Sequence, residues 1–247
     1  MSNIEFFNQL AKSTNTYLNT GRMSLFDFQV YRRTFDDINK KIGLKSGDRV
    51  LDLGGGCGQI ASYMARHVRE VVLADGAKVA LAIARKNLSR FANVTYQLVD
   101  ITVLPLPFEN NSFDHIVCYS VVHYLRDHNE FERLVLDLLR VVKPGGKILI
   151  GEIPLVDKAQ AYFEERRKKP FLNFFLNARY HVKKFLLKAM YGFGKVDETQ
   201  TTGLKYTRPV IQTILGKIPG MRFELLEQDK KLPFANSRED LLILRAV

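Results

Sequence analysis

The stretch Asp52-Leu53-Gly54-Gly55-Gly56-Cys57-Gly58 follows the apolar run that starts at Val50 and precedes a helical pattern from Gln59 to Arg66. Gly54, Gly56 and Gly58 remove the Cβ where backbone must turn sharply and where a ligand must approach it closely. The helix that follows presents unpaired N–H groups at its start. Strand, glycine loop and helix together therefore form a cradle for a nucleotide-like ligand. Gly56-Cys57-Gly58-Gln59-Ile60-Ala61 also satisfies a loose G-x-G-x-x-A dinucleotide pattern. Against a dinucleotide stands Asp52, whose carboxylate, just ahead of the glycines, would share the site with a pyrophosphate. A carboxylate there suits a ligand that carries positive charge.

Outward from this loop, short β-branched runs alternate with helix-length amphipathic stretches. Val50-Leu51-Asp52-Leu53, Val71 to Ala74, Val94 to Leu98, Ile116 to Tyr119 and Ile148 to Ile150 are near-continuous apolar runs of the kind buried on both faces of a parallel sheet. Gln59 to Arg66, Ala77 to Leu88 and Glu130 to Arg140 read as helices, and Lys143-Pro144-Gly145-Gly146 ends the last of them. Strand alternating with helix means α/β. After a helix at Arg208 to Leu215, the strands Met221 to Leu226 and Leu241 to Leu244 follow without a helix-length crossover, so they should pair antiparallel at one edge.

Lys and Arg number 37 against 26 Asp and Glu, a formal charge of +11 that favours anionic partners without choosing among them. Cys57 and Cys118 are the only cysteines, which excludes a disulfide-stapled scaffold and offers no zinc-site spacing. No apolar stretch approaches the roughly 18–20 residues that span a bilayer. The start, Met1-Ser2-Asn3-Ile4-Glu5-Phe6, has no basic-then-apolar signal. The expected location is the cytoplasm, and the expected partner is a small-molecule substrate, anionic if the surplus charge steers it; the sequence sets no oligomeric state.

The glycine loop, with the acids that follow later strands, resembles the class I, seven-strand S-adenosylmethionine-dependent methyltransferases, particularly the type 11 group. The loop looks like that family's first motif, so Asp52, Gly54, Gly55, Gly56 and Gly58 would cradle the methionine end of the cofactor. Asp75-Gly76, after the second strand, looks like the family's ribose-binding acid, and an acid about 20 residues beyond the glycines is where a ribose diol is held on physical grounds as well. Asp100-Ile101, followed by Leu104-Pro105-Leu106-Pro107-Phe108, resembles the stretch that meets adenine. An acid beside an isoleucine offers one acceptor and one apolar wall. Tyr119, at the end of the fourth strand, would meet the methionine part. The resemblance covers residues 45 to 152 well and the final strands weakly. It implies a Rossmann-like, doubly wound, seven-stranded and mostly parallel sheet with an antiparallel C-terminal strand. The cofactor it implies is S-adenosyl-L-methionine, with S-adenosyl-L-homocysteine as product. The implied domains are an N-terminal helical segment (1–44), a core (45–155 and 205–247) and a helical insertion (156–204).

Methyl transfer from a sulfonium needs proximity more than a base. A hydroxyl acceptor must still lose its proton, and His123, after the fourth strand, is the candidate catalytic residue. No Asn-Pro-Pro-Tyr run stands at that strand and neither cysteine follows a proline, so a small-molecule, sugar or lipid-type acceptor is expected, with O-methylation favoured. An RNA methyltransferase, a non-catalytic regulatory protein that binds the cofactor, and a nicotinamide oxidoreductase are the alternatives. Residues 158–195 carry ten Lys or Arg against Glu164 and Glu165, interleaved with aromatics from Tyr162 to Phe193. They read as a lid over the substrate pocket, compatible with peripheral contact to an acidic membrane surface; a nucleic-acid platform is the less favoured reading. Tyr17, Arg22 and Arg32 are candidates to close over the cofactor carboxylate, and spacing selects none of them.

Overall fold

The structure, a computed structural model, describes residues 3–11, 29–168 and 203–247. In chain order the elements are α1 (Asn3–Ala11), α2 (Val30–Ile42), β1 (Arg49–Leu53), α3 (Ala61–Met64), β2 (Glu70–Asp75), α4 (Lys78–Asn87), β3 (Val94–Leu98) and β4 (Phe113–Tyr119). Then come α5 (His128–Val141), β5 (Val142–Pro154), α6 (Val156–Arg167), α7 (Arg208–Leu215), β6 (Met221–Leu226) and β7 (Arg238–Arg245). The strands form one seven-stranded sheet in the order β3-β2-β1-β4-β5-β7-β6. β1 to β5 pair parallel, and β7 runs antiparallel between β5 and β6. The expected antiparallel pair is thus present at the edge, with the last strand placed inside it.

Alternation along each strand divides the core into two layers. Leu51, Leu53, Ile116, Cys118, Ile148 and Ile150 face α5 and α7 on one side. Val50, Val71, Leu73, Val117 and Leu149 face α2, α3 and α4 on the other. α5 buries Phe131, Leu134, Val135, Leu138 and Val141 at the three- and four-residue spacing of one helix face. Its start is capped reciprocally: Asp127 Oδ1 accepts from Glu130 N at 2.8 Å, and Glu130 Oε2 accepts from Arg126 N at 2.8 Å.

The helix read from Gln59 to Arg66 forms only over Ala61–Met64, because the glycine loop and irregular turns take up both ends of the apolar pattern. The fifth strand is far longer than Ile148 to Ile150 and includes the Lys143-to-Gly146 segment. α6 covers the start of the segment read as a helical insertion; most of its basic aromatic stretch lies outside the described residues, as do Tyr17 and Arg22. Among the described residues no helix is long and apolar enough to cross a membrane.

Candidate active site

β1 has β2 on one side and β4 on the other, so the strand order reverses there, and a crevice opens at the carboxyl ends of the strands. A cavity of about 470 Å³ occupies it. Asp52, Gly54, Gly55, Gly56, Asp75, Gly76, Asp100, Ile101 and Tyr119 all line this cavity. Gly58 and His123 do not.

The glycine loop turns on left-handed backbone at Gly54 (φ 76°), Gly56 (φ 55°) and Gly58 (φ 84°). At Gly54 a Cβ would also fall 2.3 Å from Val121 Cγ2, and at Gly58 2.6 Å from Leu88 Cδ1. Gly58 therefore serves the packing of the loop on α4 rather than the cavity surface. Gly54 N donates to Ala74 O at 2.7 Å, which ties the loop to the end of β2.

Asp75 completes that tie. Its Oδ2 accepts from Gly56 N at 2.9 Å and its Oδ1 from Ala77 N at 2.7 Å. The carboxylate spans the glycine loop and the start of α4 while lining the cavity. Burial pushes its pKa up, and the two backbone N–H groups pull against that.

Asp52 is 2% exposed, and its Oδ2 has no hydrogen-bond partner. Burial first, and the charge of Asp75 second, push its carboxyl from 3.8 to about 7. An ideal Cβ on Gly55 would come within 2.7 Å of that oxygen, so the bare glycine leaves the carboxylate its room. An unsatisfied buried carboxylate in a cavity wall calls for a donor or a cation from the ligand. Asp100 Oδ1 accepts from Thr102 N at 2.9 Å and Thr102 Oγ1 at 2.8 Å, which sets its side chain at the rim. Arg126 is the cation among the lining residues, and its guanidinium is paired with Glu130. Asp52, Asp75 and Asp100 thus give the cavity an acidic lining suited to a cationic ligand.

Sequence reasoning missed several lining residues. Ile4 and Phe7 of α1 reach the cavity, Phe7 meeting Tyr124 edge-on at 4.9 Å between ring centroids. Asn8 Oδ1 accepts from Val79 N at 2.9 Å and docks α1 on the first turn of α4. The i, i+3, i+7 stripe of Ile4, Phe7 and Ala11 carried this signal. From α2, Tyr31 lines the cavity, whereas Arg32 points outward, its side chain 68% exposed beside Asp36.

His123 sits in the short 3-10 turn Val122–Tyr124, with its ring 4.0 Å from that of Tyr124. Its Nδ1 is buried without a partner, and burial, then the charge of Arg238, lower its pKa to about 3. It is neutral at physiological pH and only weakly basic. Cys57 and Cys118 are buried, their thiols pushed up to about 11 and about 12.

Residues 51–150 match the type 11 methyltransferase family, described as "Methyltransferase domain". A "Ubiquinone/menaquinone biosynthesis C-methyltransferase UbiE" from Erwinia tasmaniensis is 36% identical over 136 residues, 53% of this chain and 51% of the relative. A "Demethylmenaquinone methyltransferase" from Tropheryma whipplei is 36% identical over 113 residues, 46% of this chain and 45% of the relative. The chain thus spans about half the length of the curated relatives it matches. Among solved structures, the N-methyltransferase NodS from Bradyrhizobium japonicum WM9, in complex with S-adenosyl-L-homocysteine, superposes with a TM-score of 0.60 at 15% identity, over 98% of this chain and 97% of that one. A phosphoethanolamine N-methyltransferase from Haemonchus contortus gives 0.63 at 12% identity, over 98% of this chain and 48% of that one. At these identities the likeness is one of fold. The family match is confined to residues 51–150, the stretch that holds the glycine loop, Asp75 and Asp100.

Proposed function

We propose that the chain transfers a methyl group from S-adenosyl-L-methionine to a small-molecule acceptor. The observation that carries this reading is the buried, unpartnered Oδ2 of Asp52 beneath a glycine loop, in a cavity whose other carboxylates are Asp75 and Asp100. That donor set fits the cofactor: an acid for the cationic methionine end, an acid after the second strand for the ribose diol, and Asp100 with Ile101 for the adenine. When bound, S-adenosylmethionine supplies an activated methyl group whose leaving sulfur departs as a neutral thioether. The chain's own residues then hold the reactants in line and exclude water, which can supply on the order of 7 kcal/mol of the barrier. Ile4, Phe7, Tyr31 and Tyr124 close the cavity with apolar and aromatic surface. Gly54, Gly55 and Gly56 admit the ligand to van der Waals contact with backbone.

The sequence favoured oxygen as the methylated atom. The relatives named as quinone-pathway C-methyltransferases favour a ring carbon instead, and the weak basicity of His123 supports that shift. A hydroxyl acceptor needs a competent proton acceptor, whereas an electron-rich hydroquinone ring attacks through carbon and loses its proton afterwards. Calorimetry with S-adenosylmethionine, S-adenosylhomocysteine and NADH tests the cofactor: binding of the first two and not the third is expected. Labelled-methyl transfer to 1,4-dihydroxynaphthalene, with the product resolved as C- or O-methylated, tests the acceptor atom. Exclusive O-methylation would overturn the carbon reading.

A further inference from the structure

Behind the cavity wall lies a cluster of charged and polar side chains that the transfer chemistry leaves unused. Asp240 of β7 is 0% exposed. Its Oδ2 accepts from Lys41 Nζ at 2.7 Å, and its Oδ1 accepts from Gln228 Nε2 at 2.7 Å and from Glu152 N at 2.9 Å. Lys41, in the last turn of α2, also donates to Asp37 at 2.6 Å. Gln228 Nε2 donates a second time, to Tyr119 Oη at 2.9 Å, while its Oε1 finds no partner. The amide is therefore oriented by the bonds it donates to Asp240 and Tyr119.

These links end at the site. Tyr119 lines the cavity with its ring laid on Gly151, where an added Cβ would fall 2.1 Å away. Glu152 adopts left-handed backbone, φ 58°, where the pairing of β5 with β7 shifts register between Ile150 and Ile153. A non-glycine residue held there is strained unless its surroundings impose the conformation, and bulges of this kind re-aim strand ends beside active sites. Asp240 imposes it by accepting the Glu152 N–H. Stability alone does not call for such a cluster, because a buried ion pair is matched or bettered by apolar side chains of the same volume.

We infer that Asp240 is a positioning residue of the transfer site, fixing the Tyr119 ring through Gln228 and the strand end at Glu152 through its N–H, with Lys41 balancing its charge. The inference rests on the methyl-transfer reading, since the cavity that Tyr119 lines is the one assigned to S-adenosylmethionine. Its test is S-adenosylhomocysteine binding by calorimetry to wild type, Asp240→Leu, which removes both acceptor oxygens while Lys41 keeps Asp37, Tyr119→Phe and the double variant, with thermal unfolding of each measured alongside. Each single change is expected to weaken binding about 10-fold, the effect of one lost hydrogen bond. The double variant should be no weaker than the worse single variant to within about 2-fold, because both changes cut the same path. A purely structural Asp240 would lower the Tm and leave affinity unchanged, which overturns the inference. Losses that multiply to about 100-fold in the double variant overturn it too. If Asp240→Leu fails to fold, Gln228→Leu cuts the path at its middle and must reproduce the loss seen in Tyr119→Phe. A wild type that does not bind removes the methyl-transfer reading and this inference together; binding that is equal in wild type and all variants removes the inference alone.

Discussion

Replacing Asp52 with Asn is expected to stabilise the ligand-free protein in a pH-dependent way while weakening its hold on a cationic ligand. Asp52 is buried with Oδ2 unpartnered, and its carboxyl is raised from 3.8 to about 7. In the unfolded chain the same group ionises near pH 4. A carboxyl with a raised folded-state pKa contributes its full stability below the unfolded value and loses it as pH climbs to the folded value. Between about pH 4 and pH 7 the wild type therefore gives up ~1.4 kcal/mol per pH unit from this group, about 4 kcal/mol in all. Asn does not titrate and is spared that loss. From pH 5 to pH 8 the advantage of Asp52→Asn over wild type should grow by about 2–3 kcal/mol, or roughly 5–10 °C in Tm for a domain of this size. Thermal unfolding by circular dichroism without ligand, at constant ionic strength across that range, measures it. Affinity should move the opposite way, with S-adenosylmethionine binding the variant about 10-fold or more weakly at pH 8. A Tm difference that stays flat from pH 5 to pH 8 would refute the assignment of a raised, uncompensated carboxyl.

Other expectations follow from the same geometry. Asp75→Ala removes the acceptor for both Gly56 N and Ala77 N, and should weaken S-adenosylmethionine binding by about 1–3 kcal/mol; unchanged affinity in calorimetry would take Asp75 out of the site. Lys41→Met leaves Asp37 and Asp240 buried without their cation, and should cost about 3–5 kcal/mol in urea denaturation. A loss below about 1 kcal/mol would show the cluster to be energetically idle.

The parallel strands were legible because runs such as Val71 to Ala74 are buried on both faces, which leaves no room for polar alternation. That the acids at their ends line one cavity was legible because the topology gathers those strand ends at the same edge of the sheet. Side-chain phase was less so: the Tyr31-Arg32 pair reads equally well from either residue until the packing of α2 decides which one faces inward. The extent of α3 was overread, since an apolar pattern cannot show how much chain the glycine loop consumes. The Asp240 cluster left no trace at all. Lys41 and Asp240 are 199 positions apart, and each by itself reads as an ordinary surface charge.

The reversed direction of β7 has a practical consequence for anything attached to the chain. Because it runs against its neighbours, β7 delivers Val247 to the amino ends of the parallel strands, where an ideal Cβ on Gly145 would lie 3.7 Å from it. The cavity opens at the other end of the sheet, beside Ile4 and Phe7. A dye, a tether or a solid support coupled through Val247 therefore leaves the mouth clear, whereas the same cargo joined ahead of α1 would sit at the entrance and compete with whatever enters.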